Sequence, residues 1–379
     1  MSKTQAILNK INHHIVDDMD INRVVSVLRE GFLSKPDGGP VVAEFQQLMA
    51  RSHCQKFAFA VTSGTSALHC AIVALELRHG DEVIVPSLAN IADCSVVIQE
   101  GGKPIFVDID PDDFNLDPKK IEAKITRKTR AIIVVHMYGQ PAKMDEIKNI
   151  AAKYNLVVIE DCAQAAGARY KGKLVGSFGD ISCFSFYQTK HIICGEGGMV
   201  MTSNSAFAAI ITSIANNGII KDRLDAYDYD RIGFNYQLTE IQAALAIGQF
   251  HKLDKNNIER RKHAEQFKSL LSDIDIRFQG THADTEHSYF YLTALLPEAL
   301  SDQRDAFIDY VKKLDAPIKK LYPLALTELT LLKDKANNNC PVSEHMTKRI
   351  FNLHVNPGLD DNDVAHMASS VHEAFQKIL

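Results

Sequence analysis

The stretch FAFAVTSGTSALHCAIVALEL (57–77) changes its period in the middle. FAFAV (57–61) is a short apolar run of strand type, whereas beyond Ser66 the apolar residues recur at helical spacing, with Leu68, Ile72 and Leu75 on one face. Between them, small hydroxyl residues and Gly64 turn the chain. The same alternation continues on the C-terminal side. DEVIVPS (81–87), KPIFVDID (103–110), RAIIVVHMYG (130–139), NLVVIED (155–161), ISCFSF (181–186) and GMVMTS (198–203) are the further predicted strands, separated by amphipathic stretches. Strands that are apolar throughout and alternate with helices predict an α/β fold around a mainly parallel seven-stranded sheet covered on both faces. In such sheets ligands gather at the carboxyl ends of the strands.

From about Asn235 to Leu271 the pattern is helical, with a single glycine, Gly248, and no proline, which predicts one or two long helices leading out of the large domain. SYFYLTALLP (288–297), a helix around DQRDAFIDYVKKL (302–314) and a final helix from Asp360 to Leu379 predict a smaller α+β domain. The expected division is 1–250 for the large domain and 251–379 for the small one.

The chain of 379 residues is 46% apolar and carries 42 basic against 47 acidic side chains, a net charge of -5. It offers no basic stripe for a nucleic-acid backbone, so small-molecule partners are expected. The N-terminal run MSKTQAILNKINHHIVDDMD is charged throughout and reads as neither signal peptide nor membrane span, which predicts a cytoplasmic protein. Seven scattered cysteines, never in CxxC spacing, are read as free buried thiols; neither a disulfide framework nor a structural metal is expected.

Three motifs carry chemistry. In VTSGTSALHC, the residues Ser63, Gly64, Thr65 and Ser66 stand where a strand gives way to a helix; they read either as a plain N-cap or as a phosphate cradle of backbone N–H groups and hydroxyls. NLVVIED places Glu160 and Asp161 at a strand's carboxyl end, where a carboxylate is either paired to an arginine or faces a cationic or protonated ligand. SCFSFYQTKHIICGEGGMVM (182–201) sets Ser185 and Lys190 on a turn beside Gly195, Gly197 and Gly198. Its lysine admits three readings: a surface charge, a phosphate hook, or a pocket amine for covalent chemistry. An anion site, an acid and an amine together match the needs of pyridoxal phosphate.

The sequence resembles the sugar aminotransferases of the DegT/DnrJ/EryC1/StrS family, fold type I pyridoxal phosphate enzymes. The resemblance runs through GDEVIVPS, PIFVDIDPDDFNLDP, VHMYGQPAKMDEI, VIEDCAQAAGARYKGKLVGSFGDISCFSF, TKHIICGEGGMV, GFNYQLTEIQAALAIGQFHKLD, HSYFYL and NPGLDDNDV. It implies that Lys190 anchors the cofactor, that Asp161 partners the pyridine nitrogen, and that Gln164 lies against the ring. By the same resemblance Gly64, Thr65 and Ser185 contact the phosphate with Ser63 and Ser66 close by. Asn235 is implied to reach the phosphate of a neighbouring subunit, which makes the protein a homodimer. The implied reaction moves an amino group from L-glutamate to the carbonyl of an oxo sugar.

Two departures stand out. Asn90 occupies the place of the usual ring-stacking aromatic residue. PIKKLYPLALTEL carries Lys319 and Lys320 near the family's arginine and Ala325 for its histidine. These two lysines read either as a solvated face or as a substrate contact for an acidic group, and His191 as a pocket wall or a surface residue. The acceptor is accordingly read as a nucleotide-linked keto-deoxyhexose, with a non-nucleotide acidic oxo sugar such as an 8-oxo ulosonate of lipopolysaccharide as the alternative. A cofactor-binding regulator without turnover is the rival class.

Overall fold

The computed structural model describes residues 3–13, 16–35, 38–219, 228–332 and 339–378. Among these, strands β1 (Phe57–Val61), β2 (Glu82–Pro86), β3 (Lys103–Val107), β4 (Thr129–Val135), β5 (Val157–Asp161), β6 (Ile181–Ser185) and β7 (Gly198–Thr202) form one sheet in the order β1-β7-β6-β5-β4-β2-β3. The run from β6 to β3 is parallel, and β7 is antiparallel to both its neighbours. Each strand coincides with one of the seven apolar runs read from the sequence.

Both faces of the sheet are covered, as apolar strands require. Val83, Val85, Ile133, Val135 and Ile159 pack on one face with Leu68 and Ile72 of helix Gly64–Ala74. Ile84, Ile132, Val134 and Val158 pack on the other with Met144, Ile147 and Ala151 of helix Met144–Tyr154. Period-2 alternation within each strand divides its side chains between the two layers.

The long helix is a single element, Glu240–Leu270, and starts later than the sequence suggests. Thr239 caps it, its hydroxyl accepting from the Gln242 N–H while the Gln242 side chain accepts from the Thr239 N–H. The preceding GFNYQL runs extended, bridging Asn235 to Asn216 and Gln237 to Val61, so sheet-edge pairing overrides its helical pattern. Gly39 caps helix Pro40–Ser52, and Pro40 opens it at a position where its missing N–H costs nothing.

The second core is built on β8 (Arg277–Phe278), β9 (Leu292–Leu295), β10 (Ile318–Lys319) and β11 (Ile350–Leu353), an antiparallel sheet in the order β8-β9-β11-β10. Helices Arg304–Lys313 and Asp361–Ile378 cover it. Ile7 and Ile11 of helix Lys3–His13 also pack here, far in sequence from their neighbours. Helix Glu240–Leu270 enters both cores: Ala243, Ala246, Ile247 and Leu253 pack beside the large sheet, Ala264 and Phe267 in the second core.

Candidate active site

At the carboxyl end of β1 the Ser63 hydroxyl accepts from the Ser66 N–H at 3.0 Å and caps helix Gly64–Ala74. The first-turn N–H groups of Gly64 and Thr65 are left without intrahelical partners and face outward at the positive end of the helix. Ser66 takes no part in that edge; its side chain is buried between Thr62 Oγ1 at 3.0 Å and Ser63 Oγ at 2.7 Å. A Cβ on Gly64 would lie 2.7 Å from the Cβ of Ser185, so only glycine lets this helix end sit against β6.

Asp161 ends β5, buried, with Oδ1 accepting from the Ala163 N–H at 2.8 Å. Its neighbour is another acid, Asp93, on the first turn of helix Ala92–Gln99, which the sequence reading passed over. The two carboxyls face each other at hydrogen-bonding range, and the Asp93 carboxyl meets a backbone hydrogen bond at Asn90 as well. Burial, then the adjacent Asp161, pushes Asp93 well above the ordinary carboxylate range, and burial raises Asp161 too, against the opposing pull of the Ala163 N–H and Lys190. No arginine pairs with Asp161 among the described residues.

Lys190 lies on the turn after β6, its N–H donating to Tyr187 O at 2.9 Å. Its Nζ stands 4.5 Å from the ring centre of Phe290, and burial lowers its pKa from the usual lysine value against the opposing pull of Asp161 and Asp93. That environment removes the surface-charge reading. Gln164 bridges the site, Oε1 accepting from the Tyr138 N–H at 3.1 Å and Nε2 donating to Tyr322 Oη at 2.9 Å. Tyr322 is the aromatic wall that the sequence reading missed; the signal lay in KKLYPL, where an aromatic residue follows the two lysines. Asn90 forms a local turn, accepting from the Ala92 N–H at 2.9 Å.

A cavity of about 210 Å³ joins these elements, lined by Ser63, Gly64, Thr65, Asn90, Asp161, Gln164, Ser185 and Lys190 together with Tyr187, Glu196 and Tyr322. A wider hollow of about 670 Å³ opens at the amino ends of β4 and β5, but it holds none of these groups. The remaining candidates lie elsewhere. Asn235 is exposed outside its own chain's cavity. Lys319 is exposed, and Lys320 is engaged with Asp305 at 2.9 Å on the surface. His191 is buried, with Nε2 at 3.1 Å from Ser288 O and its ring beside Phe290.

Glu160 faces the other side of the sheet, with His136 and Cys162 close enough to suggest a metal-binding trio. Its carboxylate is already saturated by His136 Nε2 at 3.0 Å and by the N–H groups of Gly176, Phe178 and Gly179 at 2.6 to 2.8 Å, while burial pushes the Cys162 thiol up. This is a hydrogen-bonded brace. The described cysteines are free, and Cys54 alone of them is exposed.

The cavity suits a flat heteroaromatic aldehyde with an anionic tail: hydroxyls and a helix end for the anion, Asp161 for a ring N–H, Lys190 for the aldehyde. The description of the DegT/DnrJ/EryC1/StrS aminotransferase family matches residues 14–372. The chain is 34% identical to a GDP-perosamine synthase of Escherichia coli O157:H7 over 89% of this chain and 91% of that one. It is 33% identical to a UDP-2-acetamido-2-deoxy-3-oxo-D-glucuronate aminotransferase of Pseudomonas aeruginosa, over 85% and 87%. The solved structure of NtdA from Bacillus subtilis with bound cofactor PMP is 25% identical and superposes with a TM-score of 0.86, over 96% of this chain and 83% of that one. The chain belongs to the DegT/DnrJ/EryC1/StrS aminotransferase family, and it is a pyridoxal phosphate-dependent sugar aminotransferase of fold type I.

Proposed function

We propose that the enzyme moves an amino group from L-glutamate to the carbonyl of a nucleotide-linked keto-deoxyhexose destined for a cell-surface polysaccharide. The observation that carries this reading is the convergence of Lys190, Asp161 and the Ser63–Thr65 helix end in one cavity. The relatives named for GDP- and UDP-linked sugars support the nucleotide-linked acceptor. Pyridoxal phosphate, when bound, supplies the electron sink and the carbonyl through which the amino group passes. In this assignment Lys190 anchors the cofactor and moves a proton at the substrate carbon, Asp161 holds the ring nitrogen, and Gln164 and Tyr322 wall the ring. Gly64, Thr65 and Ser185 receive the phosphate.

We place the enzyme in the cytoplasm as a homodimer with shared sites. Among the described residues no helix is long and apolar enough to cross a membrane. In support of the dimer, Asn235 is exposed beside Phe234 and beside Ile232, which is 88% exposed, an apolar patch that a second subunit would cover.

A second reading is a carboxylated oxo sugar such as an 8-oxo ulosonate of lipopolysaccharide, for which the buried cation to weigh is Arg260, outside the lining of the cavity itself. This arginine of helix Glu240–Leu270 is buried; it donates to Tyr289 O at 3.2 Å and leaves Nε unpartnered, with no carboxylate paired to it among the described residues. Burial brings its pKa down to about 10, and an anion would relieve that cost. One experiment tests both readings. Enzyme loaded as pyridoxamine phosphate is offered nucleotide-linked ketosugars and oxidised ulosonates separately, and return of the pyridoxal absorbance identifies the acceptor. Borohydride treatment followed by peptide mapping tests Lys190 directly; a tag elsewhere overturns the assignment.

A further inference from the structure

The buried acid beneath Asp161 has no counterpart among the roles assigned so far. Asp93 is 0% exposed, and the facing carboxyl of Asp161 is the one side chain within hydrogen-bonding range of its carboxyl among the described residues, beside a backbone hydrogen bond at Asn90. It is held in place rigidly. Its N–H donates to Asn90 O at 3.1 Å, and Asn90 and Ala92, which precede it, line the cavity. The groups that face it come from every surrounding element: Asp161 from β5, Cys183 from β6, Lys190 from the following turn, Tyr322 from the second core's side, and Cys94 beside it.

Two acids at that separation cannot both ionise in a buried site. No ion pair compensates Asp93 among the described residues, and Lys190 pulls on both carboxyls. A single proton therefore sits between the carboxyls. Both carboxyls meet a backbone hydrogen bond and the pull of Lys190, but Asp161 opens on the cavity beside Lys190 whereas Asp93 is wholly buried behind it, so the proton belongs on Asp93.

We propose that Asp93 is a positioning residue of the cofactor site: it stays protonated in the working enzyme and donates a hydrogen bond to Asp161. This inference rests on the reading of Asp161 as the ring-nitrogen partner. The donated bond has two effects. It fixes the orientation of the Asp161 carboxylate, and it draws electron density from it, which weakens the grip of Asp161 on the ring proton. A second negative charge under the ring would do the reverse.

The test uses cofactor-loaded enzyme. Infrared difference spectra at neutral pH, with and without carboxyl-labelled aspartate, are expected to show a protonated-acid carbonyl stretch that disappears in Asp93→Asn. Nitrogen NMR of ring-labelled cofactor is expected to give Asp93→Asn a native-like ring shift, since its amide still donates to Asp161. Asp93→Leu is expected to move that shift toward the fully protonated ring, with the ring's proton affinity raised about tenfold, one pKa unit. Absence of the acid band in native enzyme that retains cofactor overturns the proposal, as does an Asp93→Asn ring shift displaced as far as that of Asp93→Leu. If Asp93→Leu does not fold, the native enzyme and Asp93→Asn decide alone. Failure of any preparation to take up cofactor would instead strike the reading of the site itself, so the two failures are separable.

Discussion

Glu160 and Asp161 are consecutive residues of one strand and point to opposite faces of the same sheet, where they meet opposite treatment. Glu160 is wrapped by four donors and braces the turn at Gly176–Gly179 against β5 and His136. Asp161 keeps one backbone donor, the facing carboxyl of Asp93 and an open edge on the cavity. A satisfied carboxylate holds structure together, whereas an under-satisfied one is held ready for a ligand. The residue type alone does not separate the two roles; the count of donors does.

The sharpest way to break this contrast is at the amine that Asp161 faces. Lys190→Ala is expected to lower turnover by about 10⁴-fold and to abolish borohydride tagging, while the melting temperature stays within a few degrees. Asp161→Asn is expected to cost about 10²- to 10³-fold in kcat, since a preorganised charge in a dry site is lost, with the fold intact by circular dichroism. Glu160→Gln reverses the pattern. It sets an amide NH₂ against backbone N–H donors and is expected to lower unfolding stability by about 1–3 kcal/mol in denaturant titrations, leaving kcat of the folded fraction close to native.

The pH dependence sharpens the same contrast, because the two faces titrate with opposite sign. Burial alone would raise Glu160, but His136 and the N–H groups of Gly176 and Gly179 outweigh it and its pKa is lowered. Its contribution is therefore present above the ordinary carboxylate range and lost as pH falls through its lowered value. Asp93 is raised, so its contribution is full below the ordinary range and lost as pH rises through its raised value. Melting curves across pH are expected to lose the decline below the ordinary carboxylate range in Glu160→Gln and the decline that sets in above that range in Asp93→Asn. Lys320→Ala is the smallest change; an exposed pair with Asp305 is expected to contribute under about 1 kcal/mol and to leave the KM for both substrates unchanged.

The seven strands were legible because each is an apolar run of the right length bounded by turn residues, and burial on both faces leaves such runs little choice. The cavity's large-sheet lining was legible for the same reason: Ser63 through Thr65, Asp161, Ser185 and Lys190 all follow strand ends. What stayed hidden arises from tertiary contact. Asp93 in IADCSVV looks like any acid favouring the start of a helix, and Arg260 in NNIERRKH looks like one charge among several on a solvated face. Nothing local says that the first faces Asp161 or that the second is buried against Tyr289. Tyr322 reaches the cavity through a left-handed backbone at φ 58, which no pattern of hydrophobicity reveals. The extended run at Asn235 failed for a related reason, since pairing with Val61 and Asn216 decided its conformation.

Helix Glu240–Leu270 has a mechanical consequence. Gly248 lies in its first third, where a Cβ would strike Asp20 Oδ1, so the rod is clamped by helix Asp18–Glu30 at the point where a glycine would otherwise soften it. A stiff shaft seated at both ends, with no proline joint, transmits torque instead of absorbing it.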